Sequence, residues 1–168
     1  IVPVYFFSIG VSQADIGRAI MIYGLMLVYI APIMSKYLDR SEKHRLFIIL
    51  GGFVGGIGLI QVYFFSGYMS ILIAIILMGL AACFMISAQS IFILELAQSS
   101  NVSPGIAVSI QRTVTKLGHV MGPLVFSALL VTYQMETGLM IMGIYFALTT
   151  VAFLLFTVGQ ADTTIQES

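Results

Sequence analysis

Charge is what this chain has least of. Only 8% of its 168 residues are Asp, Glu, Lys or Arg, against about 25% in soluble domains. A chain so poor in charge cannot solvate its own surface in water, which excludes an ordinary soluble globular domain. Its net charge is zero, so no electrostatic footprint for nucleic acid is present. The single cysteine, Cys83, excludes an intramolecular disulfide and leaves the redox compartment unread. Catalytic signatures are missing as well: there is no His-Glu-x-x-His, no Gly-x-Ser-x-Gly and no Walker loop. Two scattered histidines and no paired Asp cluster offer nothing to hold a structural metal or a metal diphosphate. No cofactor is expected, and an intramembrane enzyme is disfavoured.

What remains is apolar. Hydrophobic residues make up 60% of the chain and the mean hydropathy is +1.07. The apolar runs are ~20 residues long, the length of a membrane-crossing helix. Barrel strands would instead alternate in polarity over ~10 residues. The reading is an all-α integral membrane protein embedded in a lipid bilayer. Ile1 to Ile9 is apolar but would rise only ~14 Å as a helix, about half the hydrocarbon thickness. It is expected to be the second half of a span whose first half is missing, and the chain a fragment. Full spans are expected at 17–38, where Pro32 should bend the end, and at 46–66, 69–97, 105–133 and 138–158. Ser103 is a candidate N-cap and Pro104 a candidate first helical residue. This divides the chain into a transmembrane domain at 1–159 and a polar, frayed tail at 160–168.

The few cations are unevenly placed. Lys36, Arg40, Lys43 and Arg45 crowd around the 39–45 loop, and Arg112 and Lys116 follow the 98–104 loop. The alternate loops hold only Arg18. By the positive-inside rule the 39–45 and 98–104 loops lie on the cytoplasmic side. The C-terminus is then cytoplasmic too, and the expected setting is a bacterial inner (plasma) membrane.

The segment Ser35 to Arg45 resembles a loop signature of the major facilitator superfamily of secondary transporters. That signature reads Gly, three residues, Asp, Arg or Lys, one residue, Gly, Arg, then Arg or Lys. Here Asp39-Arg40 match the central pair, Lys43-His44 stand where the final basic pair belongs, and Ser35 and Glu42 replace the glycines. Such departures fit the degenerate copy between the family's eighth and ninth helices. Upstream, Val11 to Gly17 resembles the connection between helices seven and eight, with Asp15 or Ser12 able to cap the helix start. The resemblance implies the six-helix half of a twelve-helix major facilitator fold, from part of helix seven through helix twelve. It also implies that the partner is the missing N-terminal six-helix half of the same chain.

From the resemblance follow the expected roles. The signature loop braces a gate, so Asp39, Arg40, Lys43 and Glu95 are gating candidates, with Arg40 or Lys43 pairing Glu95. Ordinary interfacial charge that only sets topology is the alternative. Arg112, Lys116 and His119, spaced four and three apart, share one helical face. Ionisable groups inside a span tend to face a wet interior and to be functional. Lys116 is the candidate for an anionic substrate group and His119 for proton coupling, while Arg112 sits nearer an interface or gate. Snorkelling of Arg112 and Lys116 to the interface, and a hydrogen bond from His119 to a neighbouring helix, are the alternatives. Gln89 and Tyr23 are further cavity candidates, with Tyr29 beside them. So is the small stripe Gly79, Cys83, Ser87 and Ser90, although such stripes more often pack. Gly118, Gly122 and Pro123 resemble a family stretch that lets two helices approach and pivot, and the five glycines between Gly51 and Gly58 read as close helix packing.

The function implied is secondary active transport of a small-molecule substrate by alternating access, driven by protons. The alternative is a membrane-embedded sensory or assembly domain with a transporter fold.

Overall fold

The computed structural model describes residues 12–38, 40, 44–65 and 67–166, with side chains as far as Thr157. The expected partial span at 1–9 and the gating candidates Asp39 and Lys43 lie outside the described residues. Five helices follow one another: α1 (Gln13–Leu38), α2 (His44–Phe64), α3 (Tyr68–Ser99), α4 (Pro104–Thr132) and α5 (Met135–Gln166). All five are long and apolar enough to cross a membrane, and among the described residues there is no strand. In hydrocarbon no water satisfies a backbone amide, so each apolar run closes its hydrogen bonds within itself as a helix.

Local chemistry sets the helix ends. Ser12 accepts the Asp15 amide at 3.2 Å while its hydroxyl donates to Asp15 Oδ2 at 2.7 Å. The Ser12 hydroxyl thus caps the start of α1, and Arg18 pairs with Asp15 at 3.0 Å one turn on. Pro32 lies inside α1, which continues to Leu38. Gly67 adopts φ +120° before α3, a conformation that suits a residue without Cβ. At the other end of α3, Asn101 (φ 54°) turns the chain. The Val102 amide then reaches Ala97 O at 3.0 Å and the Asn101 amide reaches Gln98 O at 3.4 Å, the paired bonds of a left-handed helix stop. Ser103 is the cap residue of α4 and Pro104 its first helical residue, as expected, but no side-chain cap bond forms there. The α4 start is held by the Ser103 carbonyl, which accepts from Ile106 and Ala107. The helices outrun the expected spans at the start of α1, which begins at Gln13 rather than 17, and at both ends of α5, which begins at Met135 rather than 138. The backbone of α5 stays helical to Gln166, past the expected span end at 158, because nothing from 160 onwards is proline or glycine.

α2 is the centre of the bundle. Its glycines face two neighbours in two rows. Gly51 and Gly58 meet α3, where an added Cβ would lie 2.7 Å from Met85 Cγ and 2.9 Å from Leu77 Cβ respectively, and Gly55 lies between α3 and α5, 2.7 Å from Phe146 Cε1 and 3.2 Å from Ala81 Cβ. Gly52 and Gly56 meet α5, at Thr150 and at the Gly143 carbonyl. α1 packs on the far side of α3 through another small seam. Gly79 lies under Met26 and Tyr23, the Cys83 thiol donates to Met26 O at 3.4 Å, and Ser87 donates to Ala31 O at 3.4 Å. The Ser35 hydroxyl donates to Ser87 Oγ at 3.0 Å. The stripe on α3 that could have faced a substrate is therefore, at Gly79, Cys83 and Ser87, an interhelical seam. Ser90 is exposed and bonds its own helix at Ile86 O.

Candidate functional site

One end of the bundle gathers α1's finish, α2's start, α3's finish and the far part of α5. Leu38, fully buried, packs with Ile48 and Ala88, and Phe47, Phe92 and Phe153 close around them. On this apolar floor sit the polar groups. His44, with 6% of its surface exposed, places Nε2 3.1 Å from Glu95 Oε1. Arg45 reaches to α5, donating from Nη1 to Thr157 O at 3.4 Å, and its guanidinium carbon lies 5.7 Å from the centre of the Phe92 ring. That distance allows a cation–π contact. These contacts tie α2 to α3 and to α5, so the end of α1 and the start of α2 share one end of the bundle with the end of α3.

The expected partners of Glu95 were Arg40 or Lys43. Lys43 lies outside the described residues; among the described residues the one placed against Glu95 is His44. Arg40 follows Tyr37 in a turn, its amide donating to Tyr37 O at 3.3 Å, and is exposed. A signal for His44 was present in the sequence. Counting in steps of three and four, His44, Ile48, Gly51 and Gly55 fall on one face of α2, and all four are buried. The final residue of the signature thus points inward, while the loop read alone gives no facing.

α4 is different from the rest of the bundle. Its middle, 112–121, is exposed throughout, and Arg112, Lys116 and His119 stand on it. The hydroxyls of Ser109, Thr113 and Thr115 bond back to carbonyls of their own helix at 2.8, 2.9 and 2.8 Å. Phe126, 2% exposed, anchors the far end. An added Cβ on Gly118 or Gly122 would meet nothing within 4 Å, so the close helix approach expected there is not made by any described residue. Pro123 lies inside α4 and is exposed.

Two cavities flank this arrangement. One, of about 650 Å³, lies between α3, α4 and α5 and is lined by Gln89, Gln111 and Thr115 among apolar side chains such as Phe92, Val114 and Phe153. The other, of about 390 Å³, lies toward the opposite end and takes in Tyr23, Met78, Phe126 and Met135. The cavity candidates are therefore not brought together. Gln89 faces the first space and Tyr23 the second, while Arg112, Lys116 and His119 line neither. Tyr29 is exposed on α1. Gln111 is a polar lining residue that periodicity had left unmarked, although it lies four residues from Thr115 and so on its face. Among the described residues no cluster of three His, Cys, Asp or Glu could hold a metal ion.

The family model described as Major Facilitator Superfamily matches residues 1–167. Comparison with curated proteins and with solved structures returns no match. Five apolar spans in up-down order and a match over nearly the whole chain give one conclusion: this multi-pass integral membrane protein belongs to the major facilitator superfamily of transporters.

Proposed function

We propose that the chain is the C-terminal half of a secondary active transporter that carries a small solute by alternating access, with protons as the driving ion. The observation that carries this reading is the open face of α4. Arg112, Lys116 and His119 lie along one span, exposed, with no ion pair among the described residues. Cations and an imidazole at these depths are costly in lipid, about 2.5–3.5 kcal/mol for Arg or Lys near a helix centre on insertion scales. Facing a wet cavity removes that cost. Counting back about 20 residues from Tyr133 puts the hydrocarbon edge near Arg112, with Lys116 about one turn and His119 about two turns inside it, on the way to the midplane where transporters of this architecture bind solute and coupling ion.

In this reading Lys116 attracts an anionic group of the solute and His119 exchanges the coupling proton, while Arg112 stands closer to the entrance. The remaining surface of the cavity belongs to the N-terminal six-helix half. The charged end of the bundle, with Asp39, Arg40, Lys43 and Glu95, is the cytoplasmic gate, and its contacts break and re-form as the two halves rock.

The test uses the full-length protein in proteoliposomes under an imposed proton gradient, with solute flux followed across a panel of anionic, neutral and cationic small solutes. Flux of an anionic class, with a charge preference that weakens in Lys116→Ala and a pH profile that flattens in His119→Gln, supports the reading. Unchanged preference in Lys116→Ala returns that lysine to the interface. An unaltered pH profile in His119→Gln removes it as the coupling group.

A further inference from the structure

We propose, on the reading of the chain as the C-terminal half of a transporter, that the cavity between α3, α4 and α5 seats one more membrane helix of the same chain. Its occupant is the first half of the span that ends in the apolar run Ile1–Ile9, and Gln89 and Gln111 hydrogen-bond a polar side chain on it. The bundle itself shows the gap. α3 is held from two sides, by α1 along Gly79, Cys83 and Ser87 and by α2 along Gly51 and Gly58. α4 is held by no such seam. Its middle is exposed, and Phe126, toward its far end, is its one buried side chain. A space of about 650 Å³ lies between it, α5 and the finish of α3.

The lining selects the occupant. No charged side chain faces the space, so neither a charged solute nor a lipid headgroup is matched there. The hydroxyls of Thr115, Thr149 and Thr150 are turned back onto carbonyls of their own helices. The side-chain amides of Gln89 and Gln111 are half-buried and have no hydrogen-bond partner among the described residues. Around them the surface is apolar, with Phe92 and Phe153 among its members. An acyl chain would cover the apolar part and leave both amides unmatched, which hydrocarbon penalises. A transmembrane helix with one polar residue among apolar ones answers both parts of the surface.

Place and length agree with this occupant. The chain enters α1 at Ser12, at the end of the bundle opposite His44 and Ser99. Nine residues up to Ile9 account for ~14 Å of a span of ~30 Å, which leaves about 16 Å to cross at the end where the cavity lies. The lining extends from Met85 to Ser100 along α3, about 22 Å of helix. Gln111 and Gln89 lie about 10 and 15 Å in from that end, counted from Pro104 and Ser99. The polar residue that meets them therefore falls within about six positions before Ile1.

The experiment is a cysteine cross-linking scan of the full-length protein in lipid nanodiscs, with Cys83→Ser and any other native cysteine replaced in the same way. Val114→Cys, on the lining of α4, is combined with single cysteines at each of about ten positions before Ile1, the length of the missing half-span, and copper phenanthroline is the oxidant. Ser35→Cys with Ser87→Cys, where the native hydroxyls lie 3.0 Å apart, is the control that the fold is intact. Disulfides should form at positions three to four apart, about tenfold faster than at those between them, because the bond needs close, aligned partners. Gln89→Leu and Gln111→Leu should each lower the SDS fraction at which the protein unfolds. Replacing the upstream polar residue should do the same, with no further loss when the changes are combined. Cross-links that are absent or show no helical period, while the control closes, overturn the seat and leave the space to lipid or solute. A full-length sequence with no hydrogen-bonding side chain in those six or so positions, or Leu variants as stable as the unaltered protein, overturns the role of the two amides. Solute flux is not read, so a failed seat and a failed transport reading are separate results.

Discussion

Two helices of this bundle carry glycines at the same four-residue spacing and live in opposite surroundings. In α2, Gly52 and Gly56 press against Thr150 and the Gly143 backbone, Gly51 presses against α3, and Gly55 presses against Phe146 of α5 and Ala81 of α3. In α4, Gly118 and Gly122 face open space. Glycine spacing in a membrane helix licenses close approach but does not say which neighbour approaches. α2 spends its glycines on helices of this chain. α4 keeps its pair free, on the same stretch that carries Arg112, Lys116 and His119. A packing helix and a helix that presents itself outward thus share a motif and differ in everything around it.

The largest effect expected from this contrast is at the α2–α5 seam. A Cβ on Gly143 would lie 2.9 Å from the Gly56 carbonyl oxygen and 3.0 Å from Leu59 Cβ. A backbone oxygen cannot rotate away as a side chain can, so the helices themselves must separate. Gly143→Val should cost at least the upper part of the ~1–3 kcal/mol typical of overpacking, read as unfolding in mixed SDS and detergent micelles. Gly79→Ala is the comparison within the same assay. There the obstructing atom is Met26 Sδ at 2.8 Å, the flexible part of a methionine, and the cost should fall to the lower end of that range. Equal costs at the two positions would mean that α2 and α5 do not approach as closely as their backbones indicate.

A smaller effect belongs to the α1–α3 seam, which is joined by polar groups as well as by small ones. The Ser35 to Ser87 hydrogen bond, 3.0 Å long, crosses between helices in a place shielded from water. Interhelical hydrogen bonds in membrane proteins average about 0.6 kcal/mol by double-mutant cycles. Ser35→Ala and Ser87→Ala should therefore couple by roughly that amount. Ser87 also donates to Ala31 O, so Ser87→Ala alone should cost more than Ser35→Ala alone. The reverse order would show that the bond to Ala31 contributes nothing.

The division between what the sequence disclosed and what it withheld follows these same surfaces. Spans were legible, since hydropathy over ~20 residues is a one-dimensional property that lipid enforces. The up-down order of the helices was legible too, since each short connection between apolar runs returns the chain to the other side. Contacts were not, because they depend on helix rotation. Lys43 and His44 are adjacent in a basic loop, and only the α2 register shows that His44 turns toward Glu95. Cys83 and Ser87 read equally well as cavity lining or as seam until α1 is seen against them. Gln89 and Lys116 sit on different spans already in the sequence, but only the structure shows that Gln89 faces the space between α3, α4 and α5 while Lys116 stands on the exposed middle of α4.

The smallest expected effect is also the one that cuts the comparison most cleanly. Gly118→Val and Gly122→Val add a branched side chain where nothing lies within 4 Å, so the stability of the described helices should change by no more than about 0.5 kcal/mol, as at other unconstrained surfaces. The same substitutions in α2 meet packed neighbours and belong with Gly143→Val. If the α4 variants prove as destabilising as those of α2, the face is already filled in the folded protein and the contrast between the two helices is lost. If they leave unfolding unchanged while solute flux in the full-length protein falls, the face is used by something that moves. Retention of both stability and flux would separate these glycines from the cations beside them, leaving Arg112, Lys116 and His119 to act on that face alone.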